Sequence, residues 1–406
     1  MAPSSWTTAT GRVGVGTAFL IHATVSGSWA PRLPAIKAAL DLSAGMLGTG
    51  LVGLAVGLVT GTRLAGPLVD RLSSRRVMRA GFPLLCGALV LPAVAVDAVT
   101  LFLSLFALGL ASGALDVAMN AQGVAAERHH RRPLLSGLHG LWSIGLGVGA
   151  GSAALAAGIG ASPLVHFAVV AGVLGAVSLT LMHDLLPAPV IAGESCAPRA
   201  AGWSPAVVLL GVIAFCSFVG EGSASDWSAV YLADELAAAP ALAASAFACF
   251  SVAAAGARFA ADPLRARVGP VALVRVGTLI AALGLLVGLV IHRPAAAIAG
   301  FTLLGAGLGP VTPIAFSAAG AVAGHATGRN VARVATVGYV GSVSGPIVIG
   351  WLAQLTSLRL ALSVPVALAL LIALTARSVQ PRHARASGGV LARSPSLADG
   401  PAPQTS

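Results

Sequence analysis

Charged side chains are scarce in this sequence. Asp, Glu, Lys and Arg together make up 9% of the 406 residues, whereas hydrophobic residues make up 57%. A set of water-soluble domains of this total length needs far more polar surface. The composition therefore excludes such domains and predicts an all-α polytopic membrane protein, because backbone polar groups in lipid must be hydrogen-bonded within each apolar segment.

Patterns for cofactors and catalysis are also lacking. The four cysteines, Cys86, Cys196, Cys216 and Cys249, show no metal or redox spacing, so we expect free thiols. The sequence has no Gly-rich phosphate loop ending in Lys-Ser or Lys-Thr, and no cluster of a nucleophile or of metal ligands. We therefore expect no cofactor, no bound metal and no enzyme activity.

Acidic residues are outnumbered by basic ones, 13 against 24, which gives a formal net charge of +11. In a soluble protein this excess would suggest a nucleic-acid partner. Here the arginines lie in short segments between apolar runs, where they determine topology in the bilayer. We expect no nucleic-acid partner.

Twelve apolar runs are long enough to cross a bilayer as helices. The first run, Val13 to Ala30, lacks a cleavage site followed by a soluble domain, so we predict an uncleaved helix rather than a signal peptide. The predicted spans are 13–31, 44–65, 77–96, 99–124, 135–158, 161–183, 204–224, 240–261, 271–291, 295–318, 333–355 and 358–377.

The distribution of basic residues predicts the orientation. With twelve spans, both termini lie on the same side as the loops that follow even-numbered spans. That side collects 20 of the 24 Lys and Arg residues, and the other side keeps Arg32, Lys37, Arg293 and Arg359. Because Lys and Arg are retained on the cytoplasmic side, we predict a multi-pass protein of the inner (plasma) membrane with both termini cytoplasmic.

The chain divides into two halves of six spans each. Residues 184–203 contain three prolines and form the longest polar interruption before the tail, so we predict a cytoplasmic linker between halves at 1–183 and 204–377. The tail, 378–406, has no apolar period and is predicted to be disordered.

Short similarities at nearly one offset support an internal repeat. Three features of the first half recur 195 to 198 residues later. These are Trp29 with Trp227, Arg63 with Arg258, and Gly109 and Gly113 with Gly305 and Gly309. Two related six-helix halves are the simplest explanation.

The loop after the second span is strongly basic and reads GTRLAGPLVDRLSSRR from Gly61 to Arg76. It resembles the signature loop of the major facilitator superfamily, although Ser73 and Ser74 replace the usual Gly and first basic residue. The matching positions are Gly66, Asp70, Arg71 and Arg75. The resemblance implies 12 transmembrane helices in two parallel six-helix halves, alternating access for a small-molecule substrate, and a monomer.

The second half repeats this basic loop with Arg258, Asp262, Arg265 and Arg267. In one interpretation these arginines only anchor the loop at the membrane surface. In the other, Asp70 and Asp262 pair with arginines or helix N-termini when the cytoplasmic side closes, and so stabilise one state of the cycle. The resemblance favours the second interpretation for Asp70.

Ionisable side chains inside spans are costly and mark candidate functional positions. Span four places Asp116, Asn120 and Gly123 on one helical face, with Met119 beside them. Asp116 could bind a cationic or hydroxyl group, or carry a proton that couples transport to a gradient. The alternative is a structural hydrogen bond to a neighbouring helix.

Span five carries His139, Trp142 and Ser143 near its start. The unperturbed pKa of His, near 6.5, suits a proton relay, but His139 could equally be an interfacial residue.

Spans seven and one carry the remaining candidates. Glu221 lies within an apolar helix between Ser217 and Ser225 and is a second candidate for proton or substrate binding, whereas Asp226 and Trp227 are expected near the outer end, with Trp227 as an interface anchor. In span one, His22, Ser26 and Trp29 share a face, so His22 and Trp29 are cavity candidates. Pro31 and Arg32 would break and anchor that helix.

The strings GSWAPRLPAIKAAL, DVAMNAQGVAAER, SGLHGLWSIG and EGSASDWSAVYL together resemble a bacterial branch related to fucose-permease-like transporters. This resemblance implies proton-linked movement of a small solute such as a sugar. Three functions stay open at this point: a proton-coupled symporter of a small polar solute, an exporter of small or amphiphilic molecules, and a non-transporting sensor on the same fold.

Overall fold

The computed structural model describes residues 10–130, 134–181, 185, 203–322 and 327–380, and every regular element in these ranges is helical. The linker and the tail predicted above lie almost entirely outside the described residues, as does Cys196. The α-helices are α1 (Thr10–Trp29), α2 (Leu33–Ala39), α3 (Ala44–Leu72), α4 (Ser74–Val90), α5 (Ala98–His130), α6 (Leu135–Gly158), α7 (Pro163–Leu181), α8 (Pro205–Val230), α9 (Pro240–Val268), α10 (Pro270–Ile291), α11 (Pro294–Leu308), α12 (Val311–Gly320), α13 (Thr327–Leu355), α14 (Leu358–Ala361) and α15 (Ser363–Thr375).

Eleven helical segments within the described ranges are long and apolar enough to cross a membrane. The twelfth predicted span is α1, which has 20 residues and is more polar because it contains His22, several hydroxyl side chains and glycines. It packs along α6 and α7 as a full member of the bundle. The chain therefore has the predicted twelve-helix fold, with span ten divided into α11 and α12 and span twelve into α14 and α15.

Several predicted spans end too early. The helices α3, α5, α8 and α9 continue six or seven residues past their predicted ends. Pro67 and Pro263 lie inside α3 and α9 without ending them. Hydropathy marks only the apolar core of a span, whereas the helix continues into the interfacial zone, where long side chains reach water.

Two very close helix pairs, one in each half, correspond to each other. A Cβ atom on Gly109 or Gly113 of α5 would lie 2.1 Å from a carbonyl oxygen of α3. A Cβ atom on Gly305 or Gly309 would lie 2.3 or 2.6 Å from a carbonyl oxygen of α9. Only glycine allows these helices to approach so closely. The repeated glycines therefore have the same packing role in both halves.

The bundle has two distinct ends, because successive long helices run antiparallel. We call the end that carries Arg12 and Val379 the Arg12 end, and the opposite end, which carries Lys37 and Asp234, the Lys37 end. Single residues, Ser73 and Gly269, connect α3 to α4 and α9 to α10 at the Arg12 end.

The two halves meet tightly at the Lys37 end. Here α2 and the preceding 3₁₀ turn, Ala30–Arg32, pack on α8, and Lys37 Nζ lies 2.6 Å from Asp234 Oδ2 in the other half. The backbones of α3 and α13 are also close, since a Cβ on Gly48 would lie 2.6 Å from the Pro346 carbonyl oxygen. The interface between the halves is therefore closed at this end.

Candidate functional site

A cavity of about 380 Å³ lies between the two halves. Its volume falls in the range of small-molecule sites. Helices of both halves contribute to its wall, chiefly α1, α3, α5 and α6 from the first half and α8, α9 and α13 from the second. Its polar or ionisable lining residues are His22, Ser26, Thr62, Ser112, Asp116, Trp142, Glu221, Ser225, Asp226, Ser251, Arg258, Tyr339 and Ser342.

His22 of α1 is held by hydrogen bonds to two other helices. The indole N–H of Trp142 points to its Nδ1 atom at 3.2 Å, so Nδ1 must accept. In the neutral ring Nε2 then carries the proton, and it faces the Ser112 hydroxyl at 2.9 Å and the Ser112 carbonyl oxygen at 3.2 Å. This buried network joins α1, α5 and α6 and fixes the orientation of the imidazole.

Asp116 is the acidic residue of the first half that faces the cavity. Its carboxyl lines the cavity and interacts electrostatically with His22, His139 and Tyr339, which come from three different helices. The Asn120 amide donates to Asp116 Oδ1 at 3.2 Å and to the Asp116 carbonyl oxygen at 2.8 Å. Asn120 therefore orients the carboxyl from one turn away.

Not every predicted candidate of the first half reaches the cavity. His22, Trp29, Asp116 and Trp142 line it, whereas Asn120 and His139 do not. The His139 side chain is exposed and packs edge-on against Phe19, with ring centroids 5.4 Å apart.

The second half contributes an ion pair. Arg258 Nη2 lies 2.8 Å from Glu221 Oε2, and both side chains are about a quarter exposed. Hydroxyl groups of Ser217 and Thr312 donate to Glu221 Oε1 at 3.2 and 3.4 Å. Arg258 Nε also donates to the Gly309 carbonyl oxygen, at 3.2 Å. A carboxylate and a guanidinium, both positioned by other groups, thus face the cavity.

This arrangement corrects the expected location of Arg258. Its match with Arg63 suggested a place in a gating loop beside Asp262. Instead α9 continues to Val268, so Arg258 lies well inside the helix and its side chain turns into the cavity. The sequence places Glu221 in span seven and Arg258 in span eight. Only the packing of α8 against α9 brings the two side chains together.

The surroundings expected for Trp227 are also corrected. The helix α8 runs to Val230 and continues as a π-helical segment, Tyr231–Glu235. Trp227 is fully buried rather than an interface anchor, and Asp226, 8% exposed, lines the cavity. The apolar run after Trp227 is the signal that could have shown that the span continues.

The other predicted gating residues lie at the Arg12 end. Asp70, Arg71 and Asp262 are exposed, while Gly66 and Arg75 are half-buried. Arg265 Nη1 donates to the Ser317 hydroxyl at 3.3 Å. The pairing predicted for Asp70 and Asp262 concerns a state in which this end is closed, and it stays a prediction.

The described residues contain no group of three or more His, Cys, Asp or Glu side chains that could hold a metal ion. Cys86, Cys216 and Cys249 are free thiols. Fold and site together define the class: a polytopic helical membrane protein whose two halves enclose a cavity with a mainly apolar wall and several polar and ionisable groups.

Comparisons with known proteins agree with this class. The family model described as Major Facilitator Superfamily matches residues 209–399. An uncharacterised MFS-type transporter of Yersinia pestis is 33% identical over 374 residues, which cover 91% of this chain and 95% of that protein. An uncharacterised transporter of Sinorhizobium fredii is 32% identical over 367 residues, which cover 89% of this chain and 96% of that protein. The chain belongs to the major facilitator superfamily.

Solved structures show the same fold at low identity. A variant of the nucleoside transporter NupG superposes with a TM-score of 0.73 at 11% identity, covering 91% of this chain and 99% of that one. A variant of the fucose:proton symporter FucP of Escherichia coli superposes with a TM-score of 0.59 at 16% identity, covering 92% and 99%.

Proposed function

We propose that this protein is a proton-coupled symporter that moves a sugar-like or other small polar solute through the bilayer by alternating access. One observation carries the proposal: ionisable groups from both halves face a single cavity, with Asp116 beside His22 on one wall and Glu221 paired with Arg258 on the other. Movement of the halves about this cavity would change the solvent access and the neighbours of each ionisable group. Such a change is what couples proton binding to the change of conformation.

The cavity wall suits a solute with several hydroxyl groups. Ser26, Ser112, Ser251 and Ser342 supply hydroxyls, and aromatic rings such as Trp142 and Phe250 supply apolar faces. Aromatic faces combined with a few polar groups give orientation and specificity to a small ligand. The structural neighbours named above carry fucose and nucleosides, which are solutes of this kind.

The two carboxyl sites have distinct proposed roles. Asp116, with a neutral His22 nearby, is the candidate for exchanging a proton with cavity water. Glu221 and Arg258 are the candidates for binding, since solute hydroxyls can donate to the carboxylate and accept from the guanidinium. His139, at the margin of the site, is the candidate relay between Asp116 and water.

We further propose that the Arg12 end is cytoplasmic, so that the structure represents a state closed to the outside. Most of the basic residues that the structure describes lie at this end. A crevice of about 400 Å³ between α3 and α13 reaches the cavity here, sharing Leu58, Thr62 and Tyr339 with it. The halves would correspond to 1–183 and 204–377, and Gly66, Asp70, Arg71 and Arg75 would help close this end. We expect a monomer in the inner membrane.

The test begins with thermal stabilisation of the purified protein by a panel of sugars, polyols, nucleosides and amphiphilic drugs at about pH 5.5 and 7.5, because a ligand of the folded state raises the melting temperature. A stabilising solute is then offered to proteoliposomes with an inward proton gradient. Uptake that requires the gradient, with Asp116→Asn losing coupling and Glu221→Gln losing binding, supports the proposal. Solute binding with uptake indifferent to the gradient contradicts it.

A second candidate is export of small amphiphilic molecules. The crevice between α3 and α13 favours it, because its wall is mainly Leu58, Val59, Val340 and Val343 with Arg63 at the margin. Such a wall would admit an apolar chain from the side. Stabilisation by amphiphilic drugs alone, together with their extrusion from inverted vesicles, would favour the exporter over the symporter.

A further inference from the structure

Three consecutive polar side chains are buried where the Lys37 end closes over the cavity. Asp226 is 8% exposed, and Trp227 and Ser228 are fully buried. Among the described residues, the Trp227 indole N–H and the Ser228 hydroxyl find no hydrogen-bond partner. Buried donors without partners are costly. In this closed state the two groups therefore lack hydrogen-bond partners, which water or a ligand could supply if the end opened.

This cluster lies at the contact between the halves. A Cβ atom on Gly350 of α13 would lie 3.2 Å from the Trp227 ring and 2.8 Å from the Ala44 carbonyl oxygen of α3. Asp226, next in sequence, lines the cavity. Asp226 thus lines the space from which a solute would leave and is adjacent in sequence to Trp227, which packs in the closed contact.

Packing at this position does not need an acid. The internal repeat aligns Asp226 with Ser28, because Trp29 aligns with Trp227. Ser28 is also fully buried, and its hydroxyl donates to the Thr24 carbonyl oxygen at 2.6 Å. A small hydroxyl side chain occupies the equivalent position in the first half. Packing alone therefore does not explain why position 226 carries a carboxyl group.

Few charges surround Asp226. The elements packed on α8 are α2, α9, α11, α12, α13, α15 and the short segments 30–32, 231–235 and 376–379. Their charged groups are already engaged or lie at the Arg12 end. Lys37 pairs with Asp234, and Arg258 pairs with Glu221. Arg32 donates to the Ala153 and Ala161 carbonyls, and Glu235 accepts from the Leu358 N–H. The Arg12 end carries Asp262, Arg265, Arg267, Arg329, Arg333 and Arg377. His22 and Asp116 face Asp226 across the cavity. No salt bridge among the described residues reaches Asp226.

We propose that Asp226 is a proton-carrying group of the closing contact: the Lys37 end closes when its carboxyl is neutral and reopens after the proton is lost. A buried carboxylate without a cationic partner is strongly unfavourable even where a hydroxyl such as that of Ser225 bonds to it, whereas burying the neutral acid costs much less. In the closed state Asp226–COOH releases H⁺ to cavity water and becomes Asp226–COO⁻, and the new charge then favours the open state. This inference rests on the proposed symport and assigns it a second coupling residue besides Asp116.

The experiment measures closure directly, without solute or gradient. Spin labels are placed on Ala38→Cys and Ala239→Cys, two exposed positions on opposite halves of the Lys37 end, after replacement of the native cysteines. Pulsed EPR distances are recorded in nanodiscs from about pH 5.5 to 8.5. The ratio of open to closed protein should rise with pH, by up to about tenfold per unit for one coupled proton. Asp226→Asn should stay closed throughout.

Two further variants complete the design. Asp97→Asn removes an exposed carboxyl at the same end and should keep the wild-type response. Asp226→Glu keeps a titratable group and should keep a response with a displaced midpoint, which serves if Asp226→Asn fails to fold. An unchanged pH response in Asp226→Asn, an unchanged midpoint in Asp226→Glu, or no response in the wild type would each overturn the proposal. Failure of proton-driven uptake with this response intact would instead refute symport alone.

Discussion

The turn between α3 and α4 offers a sharp test of how this sequence departs from its family. The whole turn is one residue, Ser73, with φ 77° and ψ 147°. At the equivalent turn of the second half, Gly269 has φ 80° and ψ 158°. The two halves thus use one backbone conformation, but the first half places a side chain where the superfamily loop usually has glycine.

The expected energy follows from this geometry. A non-glycine residue in so sparsely populated a region costs about 1–3 kcal/mol. Ser73→Gly releases that strain but gives the unfolded chain more freedom, worth about 0.4–1 kcal/mol. The net gain should be about 0.5–2 kcal/mol. Gly269→Ser should lose about the same net amount. Backbone strain and not a steric clash causes this loss, since a Cβ on Gly269 meets no atom within 4 Å.

The assay is thermal unfolding of the purified variants in detergent, followed by the loss of monodisperse protein. Ser73→Gly should melt above the wild type and Gly269→Ser below it, while the double variant should lie near the wild type because the sites are far apart. If Ser73→Gly melts at or below the wild-type temperature, the turn is not strained and the argument fails.

Three further predictions concern the site, the helix contacts and the surface. Arg258→Gln should destabilise the protein by about 1–3 kcal/mol because it leaves Glu221 unpaired, and adding Glu221→Gln should restore part of the loss; strict additivity in a double-mutant cycle would refute the coupling. Gly113→Ala should lower the melting temperature, since its Cβ overlaps the α3 backbone and overpacking costs about 1–3 kcal/mol; the exposed Gly172→Ala is the control and should be neutral or stabilising. The backbone N–H and hydroxyl of Thr100 lower the pKa of the exposed Asp97 carboxyl. The stability that this carboxylate contributes is therefore present at neutral pH and is lost as pH falls through the lowered pKa. Asp97→Ala should lower the melting temperature at pH 7 and differ less from the wild type in acid, and a difference that does not change with pH would contradict the assignment.

The internal repeat explains both the shared scaffold and the unlike walls of the cavity. Gly109 and Gly305 make equivalent contacts in the two halves. Arg63 and Arg258 also align, yet Arg63 is exposed beside the crevice and Arg258 pairs with Glu221. Backbone packing has stayed alike in the halves, whereas the polar residues of the cavity have diverged.

The sequence by itself determined the class, the number of spans and the repeat, because apolar length and glycine spacing are properties of single segments. It also identified Asp116 and Glu221, since an acid within an apolar run is conspicuous without any structure. Only the tertiary structure decided which polar groups meet. Trp142 reaches His22 over 120 residues and Arg258 reaches Glu221 over 37, and such pairings depend on the rotation and spacing of packed helices. The position of Asp226 inside the closing contact depends on the same packing, which no single segment encodes.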